Sequence, residues 1–261
     1  MIAKSCNSID YHKLISPLKR STLVIFVVFL VLLLDQALKI WVKTNMDYGE
    51  SFNLLGMDWA RIHFVENPGM AFGIELGGQS GKLVLSLFRI VAVGVLTYYL
   101  SLLVKTKASK GLLISFALIL AGALGNIIDS AFYGLIFDRG LTFNAEMGRW
   151  MPYHDLAQIN FDGYAPFLMG SVVDMLYFPM ITNASYPEWL PFVGGNRFEF
   201  FRPVFNIADS SITVGVLNII LFQRSFFNQT EEKEPETPTD MTTDTEASIE
   251  LDDTDQEKAV V

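Results

Sequence analysis

Phe205-Asn206-Ile207-Ala208-Asp209-Ser210-Ser211 opens the last strongly apolar segment of the chain and sets one carboxylate, Asp209, at its threshold. Asn206 is a good N-cap, and a helix starting there carries Asp209 at its third position, where backbone N–H groups and the helix dipole favour an acid. The ordinary role of such an acid is to complete a capping box. A second acid, Asp174, lies among Val172, Val173, Met175 and Leu176, an apolar surround that resists ionisation. If the two meet, they cannot both ionise, and the pair titrates as a unit with one member acid and the other base.

Working outward, the setting is a membrane. Half of the 261 residues are hydrophobic and the mean hydropathy is positive, more than a chain of this length needs for a soluble core. Four apolar segments are expected to span, over residues 21–41, 83–104, 112–131 and 203–222, each near the twenty residues that a hydrocarbon core requires. Between them, residues 44–81 and 132–202 are rich in aromatics, Gly and Pro and suit interfacial lobes, the first of them strand-rich. The fold expected is an all-α membrane protein of four transmembrane helices with a small β-rich extracytoplasmic lobe. The segment Leu23–Leu34 after Lys19-Arg20 has no small-x-small cleavage site behind it, only Asp35-Gln36, and reads as an uncleaved first span.

Charge fixes the orientation. Lys4, Lys13, Lys19 and Arg20 in the arm of residues 1–20, and Lys105, Lys107 and Lys110 in the second loop, belong in the cytoplasm. With four spans both termini lie there. The net charge of −9 is misleading, because residues 228–261 hold twelve acids and two lysines, leaving +1 for the rest. Residues 226–261 read as a disordered acidic tail. Cys6 is the lone cysteine, so no intrachain disulfide can form.

Acids in apolar spans cost about 2.5–3.5 kcal/mol at mid-helix on insertion scales, so each requires a reason. Asp35, Asp129, Asp174 and Asp209 all fall on the outer side in this topology. A proton-relay transporter would spread its acids through the bilayer's depth; these gather at one level and point to a shared site. Gly122 and Gly125, with Ala121 and Ala123, let a neighbouring helix approach the third span closely. The histidines, His12, His63 and His154, have no ligand spacing, and no metal or other cofactor is expected. Nothing in the chain suggests nucleic-acid binding.

Asp35-Gln36-Ala37-Leu38-Lys39, Asn67-Pro68-Gly69-Met70-Ala71-Phe72-Gly73, Gly122 to Asp129, Val172-Val173-Asp174 and the opening stretch together resemble the lipoprotein signal peptidase family, aspartyl-type signal peptidase II. The resemblance covers residues 20–225. It implies an aspartic endopeptidase of the bacterial inner membrane that removes signal peptides from diacylglyceryl-modified prolipoproteins just before the lipidated cysteine. It assigns catalysis to Asp174 and Asp209, working near the periplasmic face, and support or substrate binding to Asp35, Lys39, Asn67, Gly69, Asn126, Asp129, Asn206 and Ala208. It further implies the prolipoprotein and membrane phospholipids as partners, a monomeric enzyme and inhibition by globomycin. Two features depart from the family. Ser130 stands where an Arg is usual, with Arg139 and Arg202 as candidates to replace it, and the links between Asp129, Asp174 and Asp209 are long.

Overall fold

The computed structural model describes residues 19–69, 78–179, 181–185, 187–189, 191, 194–195, 197–200 and 203–223. The expectations for residues 1–18, for Met70–Gly73, for Arg202 and for the acidic tail lie outside them.

Among the described residues, three helices are long and apolar enough to cross a membrane. Helix α1 (Arg20–Asn45) leads to strands β1 (Ser51–Asn53) and β2 (Arg61–Asn67), α2 (Gly78–Lys105) follows, and α3 (Lys110–Ile128) is capped by Ser109, whose hydroxyl accepts the Leu112 N–H at 3.2 Å. A π-helical turn (Asp129–Tyr133) and the one-turn helix α4 (Gly134–Ile136) extend α3 outward. Six strands come next: β3 (Thr142–Asn144), β4 (Arg149–Met151), β5 (Val172–Tyr177), β6 (Ile181–Ser185), β7 (Arg197–Phe200) and β8 (Val204–Phe205). Helix α5 (Ile207–Phe222) closes the described chain.

Two expectations are corrected here. The last apolar segment does not begin as helix at residue 203, because Val204 and Phe205 pair with Tyr177 and Leu176 and the helix starts only after Asn206. At 16 residues α5 falls short of the three long helices. The β lobe expected is present, but its strands are not confined to residues 44–81: a four-stranded antiparallel sheet, ordered β1-β2-β5-β8, draws residues from both segments between the apolar helices and runs directly into α5. Helix α2 meanwhile begins at Gly78, taking the end of what read as the first lobe.

Lipid and core divide the helices by face. Along α2, Val84, Phe88, Val91 and Val95 repeat at helical spacing and are exposed, whereas α1 turns Asp35, Lys39 and Lys43 inward and leaves Phe26, Phe29 and Leu33 outside. Helix α3 lies between the others and is the most covered. Its glycines permit this, since a Cβ at Gly122 would stand 2.2 Å from the Ala208 carbonyl oxygen, and one at Gly125 would stand 2.8 Å from Asp35 Oδ2. The expectation of close approach there is met by α5 and α1.

The outer core forms where α1, the sheet and residues 132–170 meet, around Val42, Phe64, Tyr133, Phe137, Val173 and Met175. Alternation in β2 sends Ile62, Phe64 and Glu66 to the same inner face. Buried Glu66 binds Lys43 and the Tyr153 hydroxyl (2.8 Å), and accepts the Leu141 N–H at 2.9 Å. Lys43 also lies about 5 Å from the ring centres of Phe137, Tyr153 and Tyr164. This node ties the long 132–170 segment to the bundle. Burial first, and the Glu66 charge second, push the Tyr153 phenol up, so it remains a donor.

Candidate active site

Asn206 caps α5 as its sequence context suggests: its Oδ1 accepts the Asp209 N–H at 2.8 Å. The same side chain donates from Nδ2 to Asp174 Oδ1 at 2.7 Å, to Asn126 Oδ1 at 3.2 Å and to the Val173 carbonyl at 3.3 Å. Asn126, on the last turn of α3, donates its own Nδ2 to Asp209 Oδ1 at 2.8 Å. Two asparagine amides thus connect the two carboxylates, Asp174 from the sheet and Asp209 from the helix. Asp174 is 4% exposed, whereas Asp209 is half-buried. Burial chiefly, and then the nearby Asp209 charge, hold the Asp174 carboxyl well above the usual carboxylate range.

Beneath this pair lies a cation-centred cluster. Lys39 Nζ contacts Asp35 Oδ2 at 2.9 Å, Asp129 Oδ2 at 2.8 Å and Asn126 Oδ1 at 3.1 Å, with both ion pairs fully out of solvent. Asp35 and Lys39, four residues apart, share one face of α1. Asp35 Oδ1 accepts the Ala208 N–H at 2.8 Å, which seats an acid on the first turn of α5. Asp129 accepts the Val173 N–H at 3.2 Å and so fixes the strand residue beside Asp174. The π turn, a wide turn of a kind that favours functional sites, sets Asp129 and Tyr133 on this interior.

Of the residues singled out in the sequence, Asp35, Lys39, Asn126, Asp129, Asp174, Asn206, Ala208 and Asp209 form this one network. Asn67 and Gly69 lie at the end of the neighbouring strand: Asn67 pairs in register with Val172, and its Oδ1 accepts the Gly69 N–H at 2.9 Å. Gly69 has φ +113°, a conformation that favours glycine, and a Cβ there would meet Leu85 and Lys82 of α2 at 3.5 and 3.6 Å.

Sequence reasoning missed Gln36 and Tyr133. Gln36 Nε2 donates to Asp129 Oδ1 at 2.9 Å and to Asp35 Oδ2 at 3.2 Å, and its Oε1 accepts from the Tyr133 hydroxyl at 3.1 Å. A polar Asp-Gln pair inside an apolar helix was the available signal for Gln36; Tyr133 had none. Ser130 is buried with its hydroxyl on the Asn126 carbonyl at 2.9 Å. Arg139 is engaged with Asp155 and the His154 carbonyl, both at 2.7 Å, on the lobe surface.

A bundle of apolar helices whose acids, amides and single lysine converge beside a small sheet defines an integral membrane protein with a carboxylate-rich centre. The chain belongs to the signal peptidase II family: the family described as Signal peptidase (SPase) II matches residues 27–226. It is 46% identical over 208 residues to the lipoprotein signal peptidase of Porphyromonas gingivalis, covering 79% of this chain and 85% of that protein. To the lipoprotein signal peptidase of Amoebophilus asiaticus it is 37% identical over 210 residues, covering 79% and 80%. A solved structure described as a bacterial membrane enzyme aligns at 23% identity and a TM-score of 0.46, over 83% of this chain and 94% of that one.

Proposed function

We propose that the protein is an aspartic endopeptidase that cleaves signal peptides from diacylglyceryl-modified prolipoproteins just before the lipidated cysteine, with water activated between Asp174 and Asp209. The observation that carries this reading is the linkage of both carboxylates through the amides of Asn126 and Asn206. Asp174, buried and fed one donor from Asn206, is the member that holds the proton at rest. Asp209, at the helix start with an amide donor and greater access, is the base.

In the forward step Asp209 takes a proton from water as the oxygen attacks the scissile carbonyl, and Asp174 donates its hydrogen bond to the developing oxyanion. The tetrahedral intermediate then collapses as the leaving amine is protonated from the pair. No covalent enzyme adduct forms. Asp35, Lys39, Asp129 and Gln36 act through position, seating the first turn of α5 and the strand around Asp174.

The membrane arrangement follows. Helix α5 serves as the fourth span; it exposes Val214, Leu217, Leu221 and Phe222, and it follows directly on the last strand of the sheet. The site faces the periplasm at the inner membrane, and both termini are cytoplasmic. The substrate's acyl chains remain in lipid, with residues 44–69 and 132–170 closing over the peptide, and the enzyme works as a monomer.

The test is cleavage by the purified protein, in lipid nanodiscs, of a peptide bearing a diacylglyceryl-cysteine. Cleavage on the amino side of that cysteine, absent with the unmodified peptide and blocked by globomycin, is expected. Equal cleavage of both peptides would refute the substrate assignment.

A further inference from the structure

Tyr133 closes the π turn and is a buried hydroxyl to which the reaction above gives no task. Its side chain is 2% exposed, with the Phe137 ring 5.0 Å away at 66°. A phenol so fully covered requires a partner for its O–H. That partner is Gln36 Oε1 at 3.1 Å, and among the described residues the Tyr133 hydroxyl is the donor which this amide carbonyl receives.

The other end of the amide faces acceptors alone. Gln36 Nε2 donates to Asp129 Oδ1 at 2.9 Å, to Asp35 Oδ2 at 3.2 Å and to the Gly125 carbonyl at 3.3 Å. These three oxygens fix which way the amide points, so Oε1 is turned to Tyr133, whose hydroxyl must donate. Each carboxylate bridged in this way seats one member of the catalytic pair. Asp129 Oδ2 accepts the Val173 N–H at 3.2 Å, next to Asp174 in β5, and Asp35 Oδ1 accepts the Ala208 N–H at 2.8 Å, next to Asp209 in α5. One neutral amide thus spans the supports of both aspartates.

Tyr133 is itself held from the side of the long outer segment. The Gly170 N–H donates to the Ser130 carbonyl at 2.9 Å and the Ala165 N–H to the Gly134 carbonyl at 3.0 Å, so the stretch that leads into β5 clasps the chain before and after the tyrosine. A Cβ at Gly170 would stand 2.4 Å from the Asp129 carbonyl oxygen, a measure of how close that clasp is.

We infer that Tyr133 is a positioning residue for the cleavage: its hydroxyl locks the Gln36 amide across Asp35 and Asp129 and so fixes the placement of Asp174 and Asp209 relative to each other. The role rests on the aspartate-pair reading above. Without the hydroxyl, the Gln36 carbonyl is a buried acceptor with no donor, and the amide moves off one of its two acids to satisfy it. The spacing of the pair then relaxes, which slows the chemical step and leaves peptide binding in place. Loss of one neutral buried hydrogen bond corresponds to a fall in kcat of about three- to tenfold.

The experiment compares Tyr133→Phe, Gln36→Met and the double variant with the parent, each as the full chain in nanodiscs with the diacylglyceryl-cysteine peptide, measuring kcat, KM and melting temperature. Tyr133→Phe is expected to lose about three- to tenfold in kcat with KM within about twofold. The same substitution made in Gln36→Met is expected to change kcat by less than about twofold, because its route is already cut. Where Gln36→Met turns over too slowly to measure, the cycle is read on melting temperature: the fall that Tyr133→Phe causes in the parent is absent in the Gln36→Met background. An unchanged kcat in folded Tyr133→Phe overturns the inference, as does an equal loss in both backgrounds, which would route Tyr133 around Gln36. A raised KM at constant kcat, or loss of the fold in Tyr133→Phe, overturns it too, by making the hydroxyl a binding or a structural group. Asp174→Asn and Asp209→Asn run alongside separate the two claims: activity in either refutes the pair itself, whereas two inactive Asn variants with an unchanged Tyr133→Phe kcat refute Tyr133 alone.

Discussion

Replacing Lys39 with Met keeps the volume of the side chain and removes the cation at the centre of the inner cluster. The Nζ lost is within 2.9 Å of Asp35 and 2.8 Å of Asp129, and it donates to Asn126 at 3.1 Å, all in the absence of solvent. Two carboxylates remain facing each other with no compensating charge. Breaking a buried pair by deleting one partner costs about 3–5 kcal/mol, and here one lysine serves two acids, so the upper part of that range applies. Against a typical stability of about 5–15 kcal/mol this is a third or more. At about 2–4 °C per kcal/mol for a chain of this size, about 4–5 kcal/mol lowers the melting temperature by roughly 8–20 °C. The assay is thermal unfolding of the nanodisc-embedded protein followed by tryptophan fluorescence. The effect is not confined to stability, because Asp35 holds the Ala208 N–H and Asp129 the Val173 N–H, so cleavage falls with it. Adding Asp35→Asn to Lys39→Met removes one of the stranded charges and should recover part of the loss. A Lys39→Met protein that melts within about 2 °C of the parent would refute the claim that this lysine neutralises both acids.

Three further outcomes are expected. Gly122→Ala places a methyl carbon 2.2 Å from the Ala208 carbonyl oxygen, a backbone atom that cannot swing away, so α3 and α5 separate at a cost of about 1–3 kcal/mol and cleavage drops; unchanged melting and activity would contradict the close packing. Glu66→Gln strands the Lys43 charge among Phe137, Tyr153 and Tyr164 and loosens residues 132–170, seen as faster proteolysis of that segment at unchanged α2. The activity profile is bell-shaped, and because burial and Asp209 hold the Asp174 carboxyl above the usual range, its falling limb lies above the ordinary carboxylate range. A profile that already falls within that range would place the proton elsewhere.

The legible parts of this protein are those written in local pattern. Asn206 and Asp209 announce a capped helix within four residues, and the cap is present. Gly122 and Gly125 announce close approach, and the atoms they make room for are Ala208 and Asp35. Asp35 and Lys39 stand out because charge in an apolar helix is costly and a spacing of four puts both on one face. What local pattern does not encode is pairing across distance. Val65 lies opposite Asp174, more than a hundred residues later, and the sheet so formed, not helix packing, presents that acid to α5. The same sheet shortens the last helix by claiming Val204 and Phe205, whose apolar side chains read equally well as helix. Asp174 itself sat in an apolar run that periodicity alone cannot assign to strand or helix.

The pairing of Asp174 with Asp209 is tested most directly by Asp174→Asn and Asp209→Asn, each assayed for cleavage of the diacylglyceryl-cysteine peptide with insertion and melting checked. Asn is nearly isosteric, and at position 174 it still accepts from Asn206, so both proteins should fold, and Asp174→Asn, which no longer buries an ionisable group, should melt no lower than the parent at neutral pH. Both are expected to lose cleavage entirely. Turnover by either folded variant at a rate near that of the parent would contradict the assignment.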